Sequence, residues 1–479
     1  MIFTFFNRTA LLLTLIGQLL VAEEECVELP LEEEGKATLI LTIEKAVSIA
    51  LTASRKLGSA YSAVEQAEIN METAATEFDL KILPKGDMGF VGGGPAKEGW
   101  TIGTGVEFYK KCIRGTRISF NPSFMKAAKD FRSNLRASIK QPLLRGFGVE
   151  YNLAPIRAAQ YGKRTAYRNL YIAQSRLIMQ TIQAMYDVAR LEAIVELEKE
   201  SVQRIKNFCA STRVKERIGM CNALDVYRAE IELKHAEEGL NQSLDRLQDA
   251  KDGVRDLLSL DWDQEIEITV PLEYEPVQVP IEEAIEVALT HRIEVDQARD
   301  HIQESRRLMR QAKDNLRPDL NLAVDYTSFA YDEMFTRSWS TKRESTWGFG
   351  LTTSSDLYKV NENAAYEQSI INSDEAMRNE EQLRENIILD VKRVIRTLAR
   401  TEEKMAGQEE QILNSQKESR LAKLKFAHGL ANNFDLIQSE KNLRAAQNGL
   451  ISALIEHKIT TFKLLAILGT LADKPGICL

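Results

Sequence analysis

The chain has 479 residues, 44% of them hydrophobic and 28% charged, enough for a large folded body of more than one domain. Its 70 acidic residues outnumber 62 basic ones, and a net charge of -8 without any basic block carrying interleaved aromatics excludes a general nucleic-acid binder. Cys26, Cys112, Cys209, Cys221 and Cys478 form no CxxC pair, and His235, His291, His301, His428 and His457 lack metal-ligand spacing, so no disulfide framework, metal site or cofactor is implied.

In chain order, residues 1–22 read as a signal peptide: Arg8 supplies the positive n-region, and Ala10 to Ala22 is an apolar run of 13 residues before Glu23-Glu24-Glu25. Those acidic neighbours are unlike the small apolar residues that lipidation at Cys26 needs. An acidic segment, 23–40, follows. No later apolar run approaches 18 residues, so any membrane crossing must be made by a closed barrel.

From residue 41 the chain is written twice. A shift of 238 places Ile43-Glu44-Lys45-Ala46-Val47 on Ile281-Glu282-Glu283-Ala284-Ile285 and Ala50-Leu51-Thr52 on Ala288-Leu289-Thr290. Ala60, Met71 and Ala74 fall on Ala298, Met309 and Ala312. Further along, a shift of 210 pairs Gly219, Asn222, Asp225, Glu230, Leu233 and Ala236 with Gly429, Asn432, Asp435, Glu440, Leu443 and Ala446. The first copy is therefore 28 residues longer between these anchors. Ungapped agreement at two places identifies a duplication. The first repeat spans 41–260, with a β region at about 85–142 and a turn near 219. A linker at 261–278 joins it to the second repeat, 279–470, with a β region at about 319–357 and a turn near 429; 471–479 is a tail.

Within each repeat the order reads helix, strands, long helix, tight turn, long helix. Ile178, Ile182, Met185 and Ala189 share one helical face, as do Leu240, Leu244, Leu247, Val254 and Leu258. Between about 150 and 217 there is no proline after Pro155 and no glycine except Gly162, which predicts a helix roughly 100 Å long. In the β regions the period falls to two. Trp100, Ile102, Val106 and Phe108 alternate with small or polar residues, as do Leu135, Ala137 and Ile139, then Leu320, Leu322, Val324 and Tyr326, and finally Trp347, Phe349 and Leu351. Such strands suit either a soluble sheet on a helical core or lipid-facing barrel strands over a watery lumen. Four strands cannot close a barrel alone, but several copies could. Arg117-Ile118-Ser119-Phe120, within the 28 extra residues, suggests an added hairpin whose place is open.

At the first turn, Gly219 suits the left-handed residue that ends a helix, and Asn222 with Asp225 three residues on resembles a capping box. Gly429, Asn432 and Asp435 repeat the pattern. Each carboxylate also complements the positive end of its helix. Gly92-Gly93-Gly94 lacks a following Gly-Lys-Ser/Thr, and Gly103-Thr104-Gly105 lacks a third glycine, so neither is a nucleotide loop. No triad or carboxylate pair stands apart from solvated helix faces, which argues against an enzyme.

The doubled start at Leu41, the strand end Gln141-Pro142-Leu143-Leu144-Arg145-Gly146 and the doubled G-x-x-N-x-x-D turn resemble the TolC-like outer membrane efflux protein family over about 41–470. The resemblance implies a mainly α fold with β: duplicated long-helix hairpins forming an α-barrel, and four strands per chain completing a trimeric 12-stranded transmembrane β-barrel. It implies an outer-membrane duct of a Gram-negative bacterium, reaching into the periplasm and passively conducting cargo for a tripartite efflux or type I secretion system. Its partners would be two further copies, a periplasmic adaptor, an inner-membrane pump and outer-membrane lipid. The turns would form the periplasmic mouth, with Asp435 and Asp225 narrowing the pore, and Gly219, Asn222, Gly429 and Asn432 meeting the adaptor. A ring of Asp435 carboxylates would favour cations and bind divalent ions. Phe426 stands where the family can hold the mouth shut with a tyrosine, and phenylalanine cannot donate that bond. Asp356-Leu357 replaces the proline-containing strand end of the first copy. The competing reading is a secreted periplasmic coiled-coil scaffold.

Overall fold

The computed structural model describes residues 39–472 apart from 92–98, 128–129, 278, 336–337, 339–341, 355, 357, 429 and 431–432. The expected signal peptide, Cys26, Cys478, Gly92-Gly93-Gly94, Leu357, Gly429 and Asn432 lie outside the described residues. The chain divides into two compact units. One comprises residues up to Tyr61, Arg168–Val295 and Leu383 onward; the other comprises Ser62–Tyr167 and Asp296–Gln382.

The first unit is helical. The strand β1 (Leu39–Leu41) pairs in parallel with β6 (Ile266–Ile268), and Thr42 then caps helix α1 (Ile43–Ala53) by accepting from Lys45 N at 3.4 Å. Short helix α6 (Ile281–His291) is the second copy of α1. The long elements are α4 (Ala154–Arg217, 64 residues) with α5 (Ala223–Leu258), and α8 (Val360–Ala427, 68 residues) with α9 (Asn433–Leu468). Pro155 sits in the first turn of α4, where a missing N–H costs no helical bond.

Duplication is legible in the cores. Ala46, Ala50, Leu57, Leu177, Val188, Val254 and Leu258 belong to one buried cluster. Their counterparts under the two shifts, Ala284, Ala288, Val295, Ile387, Leu398, Leu464 and Leu468, belong to another. The same helical periodicity thus builds the same packing twice. Helix α4 also carries a second apolar stripe, Ile178, Ile182 and Tyr186, which packs with Val47, Ile455 and Leu471 in a third cluster. Burial pushes the Tyr186 phenol up to about 12.

The second unit contains helix α2 beyond Tyr61 (α2 is Gly58–Ala75), the single turn α3 (Val149–Asn152), α4 up to Tyr167, most of α7 (Ile293–Asn315), α8 up to Gln382 and a sheet. The sheet is an antiparallel meander in the order β2 (Lys81–Val91), β3 (Gly99–Lys111), β4 (Arg117–Ala127), β5 (Asp130–Pro142), β7 (Leu320–Asp332), β8 (Glu344–Thr353). This corrects the expectation of four strands per chain: among the described residues the sheet has six. Strand β2 escapes the sequence reading because Pro84 and Gly86 interrupt its apolar row of Ile82, Met88 and Phe90. The hairpin suggested by Arg117–Phe120 is β3 and β4 themselves, hydrogen-bonded between β2 and β5.

Candidate functional site

Register gives the sheet one mainly apolar and one mainly polar face. Ile82 lies opposite Phe108, Met88 opposite Ile102 and Phe90 opposite Trp100. Phe108 in turn faces Phe120, and Ile118 faces Ile139. Ile139 then faces Val324, which faces Phe349, while Tyr326 faces Trp347 and Leu322 faces Leu351. These side chains form a continuous apolar surface across all six strands. Most of them are exposed, Trp347 to 77% and Phe349 to 75%. Edge-to-face contact of Phe90 with Trp100 at 5.6 Å and the 6.1 Å approach of Phe108 to Phe120 tie neighbouring strands on this face.

Polar groups populate the other face. Lys85 pairs with Glu107, Ser119 and Ser138 share a hydrogen bond of 2.7 Å, and Asp325, Thr327, Thr346 and Thr352 alternate with the apolar row. Arg132 lies over the rings of Phe329 and Tyr331 at 5.4 and 5.2 Å. Moving one large apolar side chain of the exposed row out of water gains about 1.5–3 kcal/mol. A sheet so built is stable between hydrocarbon and water and costly with both faces in water. Among the described residues, no helix is long and apolar enough to cross a membrane.

The β3–β4 turn is tight and anchored. Cys112 N donates to Thr116 O at 2.7 Å and Gly115 N to Cys112 O at 2.8 Å, with Gly115 at φ +94°. Buried Asn152 donates through Nδ2 to Gly146 O and Gly148 O, both at 2.8 Å, and Gly148 N donates to Arg114 O at 3.3 Å. This end of the sheet also holds the exit of β5; the strand ends Val91/Gly99 and Asp332/Phe131 lie at the opposite end.

The turns between long helices lie in the helical unit. Gly219 adopts φ +72°, and Met220 N donates to Lys215 O at 2.8 Å while Gly219 N donates to Glu216 O at 2.9 Å, the two bonds of a Schellman end. Leu430 N repeats the first of these to Lys425 O at 2.8 Å. Asn222 is the N-cap of α5, its side chain accepting from Leu224 N at a long 3.5 Å, with Asp225 in the first turn. Asp435 occupies the first turn of α9 and is exposed. The structure joins the two turns through a residue the sequence did not single out: Asn433 Nδ2 donates to Asp225 O at 2.6 Å.

Phe426 also has a defined role. Lys215 Nζ stands 3.9 Å above its ring centroid and donates to its carbonyl oxygen at 2.6 Å, and the ring packs on Phe208 at 5.2 Å. The side chain thus receives a cation instead of donating a hydrogen bond. About one turn further from each tip, the repeat copies an ion pair: Arg213–Glu230 at 2.7 Å and Lys423–Glu440 at 2.7 Å. Glu440 is the buried member, also bonded by Arg204 at 3.1 Å and by Ser419 at 2.7 Å. Burial works against its charge, but the bonds from Lys423 and Ser419 and the field of Arg204 prevail and hold its carboxyl below the usual value.

Residues 284–470 match the outer membrane efflux protein family. No curated protein matches significantly. Among solved structures, the Campylobacter jejuni CmeC outer membrane channel is similar with a TM-score of 0.71 at 12% identity, covering 93% of this chain and 91% of that one. The outer membrane protein VceC of Vibrio cholerae gives 0.69 at 14%, covering 89% and 96%. The open state of the Neisseria gonorrhoeae MtrE outer membrane channel gives 0.62 at 15%, covering 90% and 89%. The chain is mainly helical with a sheet portion and has the fold of these channels.

Proposed function

We propose that this chain, whose second repeat carries an outer membrane efflux protein domain, is the exit duct of a tripartite efflux or type I secretion system. The observation that carries the reading is the exposed apolar face of an antiparallel sheet whose other face is polar. Three copies close their sheets into one barrel in the outer membrane of a Gram-negative bacterium, and the helical repeats, 41–260 and 279–470, joined by 261–278, extend into the periplasm. Residues 1–22 direct export and are removed. The duct does no bond chemistry. An inner-membrane pump supplies the cargo and a periplasmic adaptor docks on the turns, meeting Gly219, Asn222, Gly429 and Asn432. A periplasmic scaffold is the poorer fit, because it would leave Trp347, Phe349 and Leu351 in water at a cost of about 1.5–3 kcal/mol each.

At the mouth, Asp435 and Asp225 sit in the first turns of α9 and α5, and three copies of Asp435 ring the pore. Such a ring draws cations and is blocked by divalent ones. Single-channel current from the purified protein in a planar bilayer, with and without millimolar divalent cation, tests this. Current steps reduced by the cation support both duct and ring. Steps indifferent to the cation keep the duct and reduce Asp435 to a helix cap. If folded trimers give no current, and an Asp435→Ala variant gives none either, the duct reading fails.

A further inference from the structure

We propose that all six strands enter the membrane wall, so that β8 of one copy pairs with β2 of the next and three copies close an 18-stranded barrel instead of a 12-stranded one. This inference rests on the trimeric duct reading above.

The two shifts of the repeat locate the source of the additional strands. A shift of 238 carries β2 onto 319–329, over β7, and a shift of 210 carries β5 onto 340–352, over β8. The strands between them, β3 and β4, occupy Gly99–Ala127 and have no counterpart in the second repeat; they account for the 28 additional residues. Inserting a whole hairpin leaves the direction of β5 unchanged, so the meander continues antiparallel on both sides.

The hairpin is not an appendage. Strand β3 pairs with β2 from Lys81↔Tyr109 to Val91↔Gly99, and β4 pairs with β5 from Arg117↔Lys140 to Ala127↔Asp130. Removing it from the wall would break both ladders, and in hydrocarbon those backbone groups would find no water. The apolar face crosses it through Ile102, Phe108, Ile118, Phe120 and Phe124, with Lys110 and Lys126 on the same row near the strand ends. Its tight turn is tied to the β5 exit by Gly148 N donating to Arg114 O at 3.3 Å and by the close approach of Gly115 to Gly146 and Asn152.

A second copy of this chain is the occupant that fits the edges. Across six alternating strands, β8 runs opposite to β2, so the edge of one copy meets that of the next antiparallel. The edges are matched in length, 11 residues in β2 and 10 in β8. An even strand count per copy lets the ring close without a parallel seam. At about 4.8 Å between strands and a tilt of about 40°, going from 12 to 18 strands widens the backbone radius from about 12 to about 18 Å. The lumen area then grows about two-fold, to porin dimensions.

Two single-tryptophan forms test it in vesicles containing acyl-brominated phosphatidylcholine. One keeps Trp100 of β3 and the other Trp347 of β8, with the remaining tryptophans replaced by Phe. The expected result is quenching of both by at least about two-fold, as lipid contact demands. Quenching of Trp347 but not Trp100 overturns the inference and leaves the duct intact. Quenching of neither overturns the duct reading itself. Where a form fails to fold, the unaltered chain in lipid nanodiscs decides by electron cryomicroscopy. Eighteen strands per ring support the proposal, twelve with β3 and β4 outside the wall refute it, and no ring refutes the membrane reading.

Discussion

Replacing Gly115 by Ala should destabilise the protein far more than the same change at Gly148. Both glycines have positive φ, +94° and +106°. An alanine there incurs backbone strain of about 1–3 kcal/mol at either site. The sites differ in space. A Cβ at Gly115 would stand 2.6 Å from Gly146 O, 2.8 Å from Asn152 Nδ2 and 2.9 Å from Pro142 Cγ, whereas one at Gly148 meets nothing within 4 Å. Two of the three obstacles cannot simply swing aside: Gly146 O is backbone, and the buried Asn152 amide is held by two hydrogen bonds. The clash therefore adds about 1–3 kcal/mol, the usual cost of overpacking. Gly115→Ala should lose about 2–6 kcal/mol in all and Gly148→Ala about 1–3. Urea titration of folding into phospholipid vesicles, read by tryptophan emission and by protease protection of the sheet, measures both. The comparison is internal, since the two residues serve the same end of the sheet. Equal losses for the two variants, or an unchanged midpoint for Gly115→Ala, would refute the packed-turn argument.

Other predictions concern the helical unit. The Glu440 carboxyl lies lower in the folded chain than its ordinary 4.5, so its stabilisation is complete above that value and is lost as pH falls through the folded value. Glu440→Gln should cost about 1–3 kcal/mol at pH 7, a range reduced because Lys423 and Arg204 are partly exposed, and should flatten the acid limb of a stability–pH curve. Buried His457 is held below its ordinary 6.5 by desolvation, which outweighs the pull of Glu402 at 3.5 Å. Unfolding lets it take up a proton, so its destabilising effect grows as pH falls below 6.5, and His457→Leu should remove that dependence between pH 6.5 and 5 in thermal melts. Phe426→Leu keeps the carbonyl bond from Lys215 but loses the ring beneath its charge, which should cost about 0.5–1 kcal/mol. Hydrogen exchange at the ends of α4 and α8 should rise accordingly.

Much of the architecture was legible because the chain states it twice. The period of 3.6 in α4 and α5, the glycine that ends α4 and the paired alanines of α1 and α6 are local or repeated signals. Strands with clean alternation, such as Trp347-Gly348-Phe349-Gly350-Leu351, announced themselves equally well. Strand β2 did not, since Pro84 and Gly86 stand on its apolar row between Ile82 and Met88. At the tips, Asn222 was readable as a cap, while Asn433 looked like one more polar residue next to it.

The sequence by itself determined the long helices and where each ends, the strands that alternate cleanly, and that one copy carries 28 more residues than the other. Those properties follow from neighbours a few positions apart, so periodicity and capping chemistry encode them. Only the tertiary structure decided where the additional residues go and what holds the tips. Strand order is a matter of which backbone finds which partner, and no residue in β3 or β4 specifies β2 and β5 by its own chemistry. The Lys215–Phe426 contact spans 211 positions, and the bond from Asn433 to Asp225 spans 208. Interactions so distant in the chain exist only once the cores of both repeats have packed.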